Sequence, residues 1–309
     1  MPLFEKRWLR MPKTHSLSHT AASSFMTCNR KYFYQYILGI QKLGNTPGRR
    51  RGGAMALAQE HWDTDVIDGY YEAIIDDLDN LDYVGDLEKE REIVRIMAEG
   101  YMRVYRKPDQ VEVAFTTPIV DTHGNQTDYW NRGYIDAVEV QGGSHVLIEN
   151  KLLSMWTHAH ELALQLDAQS TRYIDAARTL LKLNVPHLLY RVTKWPGIRQ
   201  TAKDGSLNGY LTRLREEVNA DIEAKAGKYF LEFKLMRSDA QLVDFRESLS
   251  ALAEIIKGQA KKELWPLNPG NACAAYGGCD FLALCRQDQG AAELYEHRNK
   301  SNRPEEEAV

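Results

Sequence analysis

The stretch that decides the fold spans residues 133–151 and reads GYIDAVEVQGGSHVLIENK. Alternating and β-branched residues on both sides of Gly142 and Gly143 predict a β-hairpin with a two-residue turn. In that register the numbers of paired residues add up to 285, so Asp136 faces Glu149. Directly opposed residues share one face of a sheet, and Lys151 points to the same face as Glu149. The hairpin is therefore expected to gather two carboxylates and one ammonium group.

Two carboxylates side by side repel, and each raises the pKa of the other. A divalent cation removes this repulsion, and oxygen ligands suit Mg²⁺ or Mn²⁺. Such a metal activates water and neutralises charge on a scissile phosphate. Lys151 is expected to position that water or to stabilise the developing charge. The alternative is a solvated ion pair, which is disfavoured because acidic groups among apolar neighbours need a reason; those neighbours are Ile135, Ala137, Val146 and Ile148.

The rest of the chain reads as helices and strands around this hairpin. Periodicity predicts helices over 23–38, 54–79, 86–106, 155–183, 210–226 and 239–257. Strands are predicted over 111–120, 129–140, 145–152, 187–193 and 229–235. This order favours one composite domain over 1–309, with a basic N-terminal segment (1–53), an α/β core (54–235), a C-terminal helix with cysteines (236–290) and a tail (291–309).

Composition limits the classes of protein that the chain can form. Its 309 residues are 43% hydrophobic with a net charge of −4, which excludes a disordered chain and a simple polycation. No apolar run approaches the roughly 18 residues of a membrane span, and no secretory signal is recognised, so a cytoplasmic protein is expected. Residues 1–53 hold ten basic side chains and one acidic, whereas residues 54–99 hold fourteen acidic and three basic. This asymmetry fits either an anionic partner or pairing of the two segments in the fold.

Four cysteines form a second candidate site. Cys273, Cys279 and Cys285 lie close together in the sequence, and Cys28 lies far upstream. Disulfides are not expected without a secretory signal. Four thiolates meet the need of an iron–sulfur cluster, whereas zinc ribbons prefer shorter spacings. Zinc and a set of buried apolar thiols both remain open from the spacing alone.

Over residues 16–285 these motifs resemble the PD-(D/E)XK nuclease superfamily, in its Cas4-like and RecB-like branch with an iron–sulfur cluster. The resemblance implies that Asp136 and Glu149 bind the metal, that the main-chain carbonyl of Asn150 joins them, and that Lys151 is catalytic. The residues Gln169 and Tyr173 match the QxxxY motif on the following helix, which organises the site and contacts DNA.

The resemblance also implies the fold and two cofactors. The fold class is α/β, with a restriction-endonuclease-like αβββαβ core and helical N- and C-terminal additions joined by a 4Fe–4S cluster. Its ligands are expected to be Cys28, Cys273, Cys279 and Cys285, and the second cofactor is Mg²⁺ or Mn²⁺. The family places a metal-binding histidine early in the first core helix, and the nearest histidine here, His61, lies one turn later and is expected to reach the metal.

Three functions remain in competition at this point. The first is a metal-dependent DNA nuclease, an exonuclease acting on single-stranded ends. The second is a non-catalytic DNA-binding or complex-assembly subunit that keeps the fold and the cluster. The third is a zinc-stabilised protein with no nucleic-acid role. Beyond DNA, the resemblance allows homo-oligomers or protein partners in recombination, replication or CRISPR-type systems, and no membrane partner is expected.

Overall fold

The structure is a computed structural model that describes residues 15–44, 46–76, 84–121, 123–274 and 278–298. It has two compact units. Unit 1 comprises Met1–Gly44, Ala114–Gly133 and Ser238–Val309, and unit 2 comprises Asn45–Val113 and Tyr134–Arg237. Among the described residues, no helix combines the length and the apolar character that a membrane span requires. The single composite domain expected from the sequence stays a prediction.

Helices and strands alternate along the chain in a mixed α/β arrangement. The α-helices are α1 (His19–Thr27), α2 (Asn29–Tyr32), α3 (Pro47–His61), α4 (Val66–Asp76), α5 (Val84–Val104), α6 (His158–Leu164), α7 (Ala168–Thr179), α8 (Leu207–Ala224), α9 (Asp239–Lys261), α10 (Asn271–Ala274) and α11 (Leu282–Arg286). The strands are β1 (His15–Ser16), β2 (Ile40–Lys42), β3 (Gln110–Val120), β4 (Gln126–Gln141), β5 (Ser144–Leu153), β6 (Leu188–Lys194), β7 (Phe230–Leu235) and β8 (Tyr295–His297).

The sheet of unit 2 is built on the predicted hairpin. Strands β4 and β5 pair in the expected antiparallel register, from Gln141↔Ser144 to Ala137↔Ile148. Gly142 and Gly143 both have positive φ, 56° and 81°, as the favoured two-residue hairpin turn requires. Strand β5 then pairs in parallel with β6, and β6 pairs antiparallel with β7, while β3 also pairs with β4. The mixed sheet with flanking helices is the expected α/β class.

Three predicted helices are shorter or broken, each for a local reason. The helix predicted over 54–79 is two helices, because Trp62 adopts a left-handed conformation (φ 53°) that ends α3. The helix predicted over 155–183 is also two, since Asp167 caps a new helix by accepting a hydrogen bond from the backbone N–H of Ser170 at 2.7 Å. The helix predicted over 23–38 breaks at Cys28, which is extended (φ −163°, ψ 118°). A π-helical turn over Phe33–Ile37 follows α2.

Helices α3, α4, α5 and α8 pack together in unit 2. Their shared core includes Tyr71, Met97, Leu214 and Tyr229, which are almost wholly buried. On the face of the sheet opposite α7, this core fixes α3 beside β5, where Leu152 packs against it. The site described below depends on that placement.

Part of the N-terminal basic charge pairs inside unit 2. Glu90 is 5% exposed, and its two carboxylate oxygens contact Arg50 Nε at 3.0 Å and Arg51 Nε at 2.7 Å. Tyr71 donates a third hydrogen bond to Glu90 at 3.1 Å, and the Arg51 guanidinium lies over the ring of Trp195. These two arginines therefore pair with an acidic residue of the fold, which is one of the two roles that the charge asymmetry allowed.

Candidate active site

The predicted catalytic residues come from three neighbouring elements of unit 2. Asp136 lies on β4, and Glu149, Asn150 and Lys151 lie on β5. Helix α7 follows β5 in the chain, after α6, and carries the two residues of the QxxxY motif, Gln169 and Tyr173. Residues four apart lie on the same face of a helix, so both side chains reach the sheet together.

A continuous chain of hydrogen bonds joins four of these side chains. Lys151 Nζ donates to Gln169 Oε1 at 2.9 Å, and Gln169 Nε2 donates to the Tyr173 oxygen at 2.9 Å. The Tyr173 hydroxyl in turn donates to Asp136 Oδ1 at 3.2 Å. Helix α7 therefore fixes the lysine and the aspartate relative to each other, as the motif predicts.

The second oxygen of Asp136 is held by the backbone of the neighbouring strand. The N–H of Asn150 donates to Asp136 Oδ2 at 2.9 Å. The side chain of Asn150 accepts a hydrogen bond from the Tyr101 hydroxyl at 2.8 Å. Burial raises the pKa of Tyr101 to about 12, so this hydroxyl remains a donor at neutral pH.

Glu149 lies at the centre of the charges. Its side chain is fully buried; Oε1 forms an ion pair with Lys151, and no hydrogen-bond donor of the described residues reaches Oε2. Burial, reinforced by the charge of Asp136, raises the pKa of Glu149 to about 8. Burial also raises the pKa of Asp136, although Lys151 opposes it. For Lys151, burial acts to lower the pKa, but the two carboxylates outweigh it and the pKa rises.

This arrangement fits a divalent cation. Two carboxylates face one ammonium group, Glu149 is fully buried, and one of its carboxylate oxygens lacks a donor among the described residues. An unpartnered buried oxygen is costly unless a cation or a proton compensates it. In the described part of the chain, no three His, Cys, Asp or Glu side chains group around one metal position. The remaining ligands would come from backbone carbonyls and water, as Mg²⁺ prefers.

A cavity of ≈ 70 Å³ opens beside Asp136 and Asn150. About 10–15 Å³ of such space holds one water molecule, so the cavity has room for several. Helix α3 lines it with Gln59 and Glu60, among others. Side chains of Tyr101 and Arg191 complete its polar wall.

His61 does not line this cavity. The lining residues Ala56, Gln59 and Glu60 are three and four positions apart and share one face of α3. His61 is one residue further, turned by about 100° around the helix axis, and is exposed. The structure does not bring His61 to this cavity, and its role as a metal ligand stays a prediction. Gln59 and Glu60 line the cavity instead, and no motif in the sequence distinguished them.

The four cysteines lie in unit 1 and line one cavity. Cys28 is buried at the break between α1 and α2, Cys273 lies on α10 and Cys285 on α11. Together with Cys279 they surround a cavity whose wall also includes Lys31. All four are free thiols, and burial raises the pKa of Cys279 and Cys285. In the described part of the chain, these cysteines do not lie close enough together to form a group of three metal ligands.

The family of the chain is shown by its match to a family model. No curated protein sequence matches the chain. A solved structure from Eubacterium rectale, provisionally named as an exonuclease, aligns with a TM-score of 0.46 at 12% identity, covering 94% of each chain. The model of the PD-(D/E)XK nuclease superfamily matches residues 16–286. Nucleases of this superfamily typically use a divalent metal, and their substrate is DNA. The chain belongs to the PD-(D/E)XK nuclease superfamily.

Proposed function

We propose that the chain is a Mg²⁺- or Mn²⁺-dependent deoxyribonuclease, an exonuclease that acts on single-stranded DNA ends. The observation that carries the proposal is the fully buried Glu149 beside the half-buried Asp136, tied through Lys151 and Gln169 to Tyr173. A buried cluster of this composition is costly for stability and is typical of a functional site.

Each residue has a separate part in the proposed reaction. Asp136, Glu149 and the main-chain carbonyl of Asn150 would hold the metal, which supplies an activated water and neutralises phosphate charge. Lys151 carries a positive charge that orients the attacking water and stabilises charge on the phosphate. Gln169 and Tyr173 keep Lys151 and Asp136 in register, so that little reorganisation is needed during the reaction.

We also propose that the four cysteines hold a 4Fe–4S cluster. Their common cavity supports this, because four thiolates are the usual ligand set of such clusters. Binding would require the thiols to lose their protons and to close around the cluster. Iron and acid-labile sulfide are to be measured on anaerobically purified protein. Zinc without iron would contradict the cluster and favour a zinc-stabilised protein.

The test of the nuclease is degradation of end-labelled single-stranded DNA with Mg²⁺, Mn²⁺ or EDTA. We expect metal-dependent cleavage by the wild type and its loss in Asp136→Ala. Asp65→Ala is the matched control, since its side chain is 87% exposed and lies outside the site. Mononucleotide release from one end would support the exonuclease. DNA binding without cleavage on any end would favour the non-catalytic binding or assembly subunit.

A further inference from the structure

A row of aromatic residues begins next to the buried carboxylate. In the β5–β6 register Glu149 pairs with Tyr190, and in the β6–β7 register Tyr190 pairs with Phe233. Paired residues point to the same face of a sheet, and neighbouring strands are about 4.8 Å apart. Phe233 therefore lies two strands, or about 10 Å, from the backbone of Glu149.

Two further rings stack on this row from outside the sheet. Trp156 follows the end of β5, and its ring stacks on Phe233 with centroids 4.8 Å apart and an angle of 28° between the planes. It also lies 6.2 Å from the ring of Tyr190. His160 on α6 stacks on Trp156 at 5.1 Å and 24°. His160 is exposed, so the stack opens to solvent at that ring.

The two outer rings are held in place by polar contacts. Trp156 Nε1 donates to Glu161 Oε1 at 3.3 Å. Nδ1 of His160 accepts a hydrogen bond from the backbone N–H of Thr157 at 3.1 Å, which forms part of the N-terminal cap of α6. Rings that are already oriented lose little conformational freedom when a ligand stacks on them.

The segment that connects β5 to α7 exposes three apolar side chains. Met155 is 64% exposed, Leu162 53% and Leu166 81%. All three belong to the segment that connects β5 to α7 and carries α6. Apolar side chains that are exposed on one segment are typical of a binding surface.

We propose that the solvent-facing side of His160, supported from beneath by Trp156, stacks against an unpaired nucleobase of the DNA strand whose phosphodiester lies at Asp136 and Glu149. The inference rests on the nuclease function proposed above and specifies how its substrate is held. Aromatic faces bind bases of any sequence, because every base has a π-face. A base inside a duplex has both faces covered by its neighbours, so the stack selects single-stranded ends.

The aromatic stack also has a structural use, because it packs α6 against the sheet. The two roles predict different results when the base is removed from the DNA. If the stack only packs α6 against the sheet, the protein binds DNA equally well with and without that base. Stacking makes the loss of the ring and the loss of the base non-additive, which a double-mutant cycle measures.

The test uses the full chain in EDTA and fluorescein-labelled single-stranded oligonucleotides, each with one abasic residue at a successive position. His160→Gln removes the ring but keeps a side-chain acceptor at the cap, where Gln is a preferred residue. Trp156→Leu removes the inner ring and keeps apolar volume. His158→Gln is the matched control, because His158 is an exposed histidine on the same helix, contacts Glu161 at 3.5 Å and stacks on no ring in the described part of the chain.

For the wild type and the His158→Gln control, we expect an abasic residue at one or two positions to weaken binding roughly tenfold. In His160→Gln and Trp156→Leu, the intact oligonucleotide should bind roughly tenfold more weakly, with no further loss at those positions. Equal abasic losses in the wild type and both variants would overturn the stacking site. Metal-dependent cleavage is assayed separately: its absence, with the abasic pattern intact, would overturn the nuclease and not the stacking site.

Discussion

Replacing Tyr173 by Phe removes one oxygen atom from the middle of the hydrogen-bond network of the candidate site. That oxygen accepts a hydrogen bond from Gln169 at 2.9 Å and donates one to Asp136 at 3.2 Å. The ring stays in place, since Tyr173 is 5% exposed. A hydrogen bond contributes about 0.5–1.5 kcal/mol between neutral groups and about 1.5–3 kcal/mol to a charged one. We therefore expect the free energy of unfolding to fall by about 2 kcal/mol.

The effect on function should be larger than the effect on stability. Asp136 keeps the hydrogen bond from the backbone of Asn150 but loses the one that aims Oδ1. Removing such a supporting contact typically lowers metal affinity or activity about 10- to 100-fold. Mn²⁺ affinity by calorimetry and initial rates of DNA degradation measure this loss, and urea unfolding measures stability.

Tyr210→Phe is the matched control for this prediction. The hydroxyl of Tyr210 donates to the carbonyl of Ile198 at 3.2 Å, on a residue that is 2% exposed and lies on α8. Its loss should cost about 1 kcal/mol of stability and leave metal affinity unchanged. Equal Mn²⁺ affinity in Tyr173→Phe and the wild type would refute the assignment of Tyr173 as the group that orients Asp136.

Two further predictions concern buried carboxylates. Glu149→Gln should abolish cleavage and stabilise the metal-free protein. The pKa of Glu149 in the folded state is about 8, which lies above its pKa in the unfolded state. The wild type therefore loses stability as pH rises from about 5 to 8. The difference in urea midpoint between the two proteins in EDTA should therefore grow across that range, and a pH-independent difference would contradict the argument. Glu90→Ala leaves Arg50 and Arg51 without their shared acid, and should destabilise the fold by about 3–5 kcal/mol in thermal or urea unfolding. Glu60→Ala, whose exposed carboxylate pairs with no base in the described residues, is the control.

The hairpin was predictable because its signals are local. A two-residue Gly142-Gly143 turn and strict alternation on both strands leave one register that keeps Ala137, Val146 and Ile148 on the apolar face. The helix breaks were not predictable in the same way. Trp62 and Cys28 have no turn-forming chemistry, and their conformations depend on tertiary packing that a periodicity analysis does not include.

The residues of the candidate site also differ in how far the sequence predicts them. Asp136, Glu149 and Lys151 follow from the hairpin register, and Gln169 and Tyr173 follow from the resemblance of one motif. The other polar residues that line the cavity could not be predicted, because Gln59, Tyr101 and Arg191 come from elements whose packing order the sequence leaves open. His61 was selected by residue type, whereas the helix face toward the cavity was set by where α3 packs against β5.

Alternation along β5 explains how one short strand contributes side chains to both faces of the sheet. Glu149 and Lys151 point toward α7, while Asn150 and Leu152 point toward α3 and α5. Asp136 belongs to both sides, because Tyr173 binds one of its oxygens and the backbone of Asn150 binds the other. A slip of one residue in the β4–β5 register would turn the side chains of one strand to the opposite face of the sheet and separate Asp136 from Glu149. The two glycines of the turn help to fix this register, and through it they influence which side chains meet in the site.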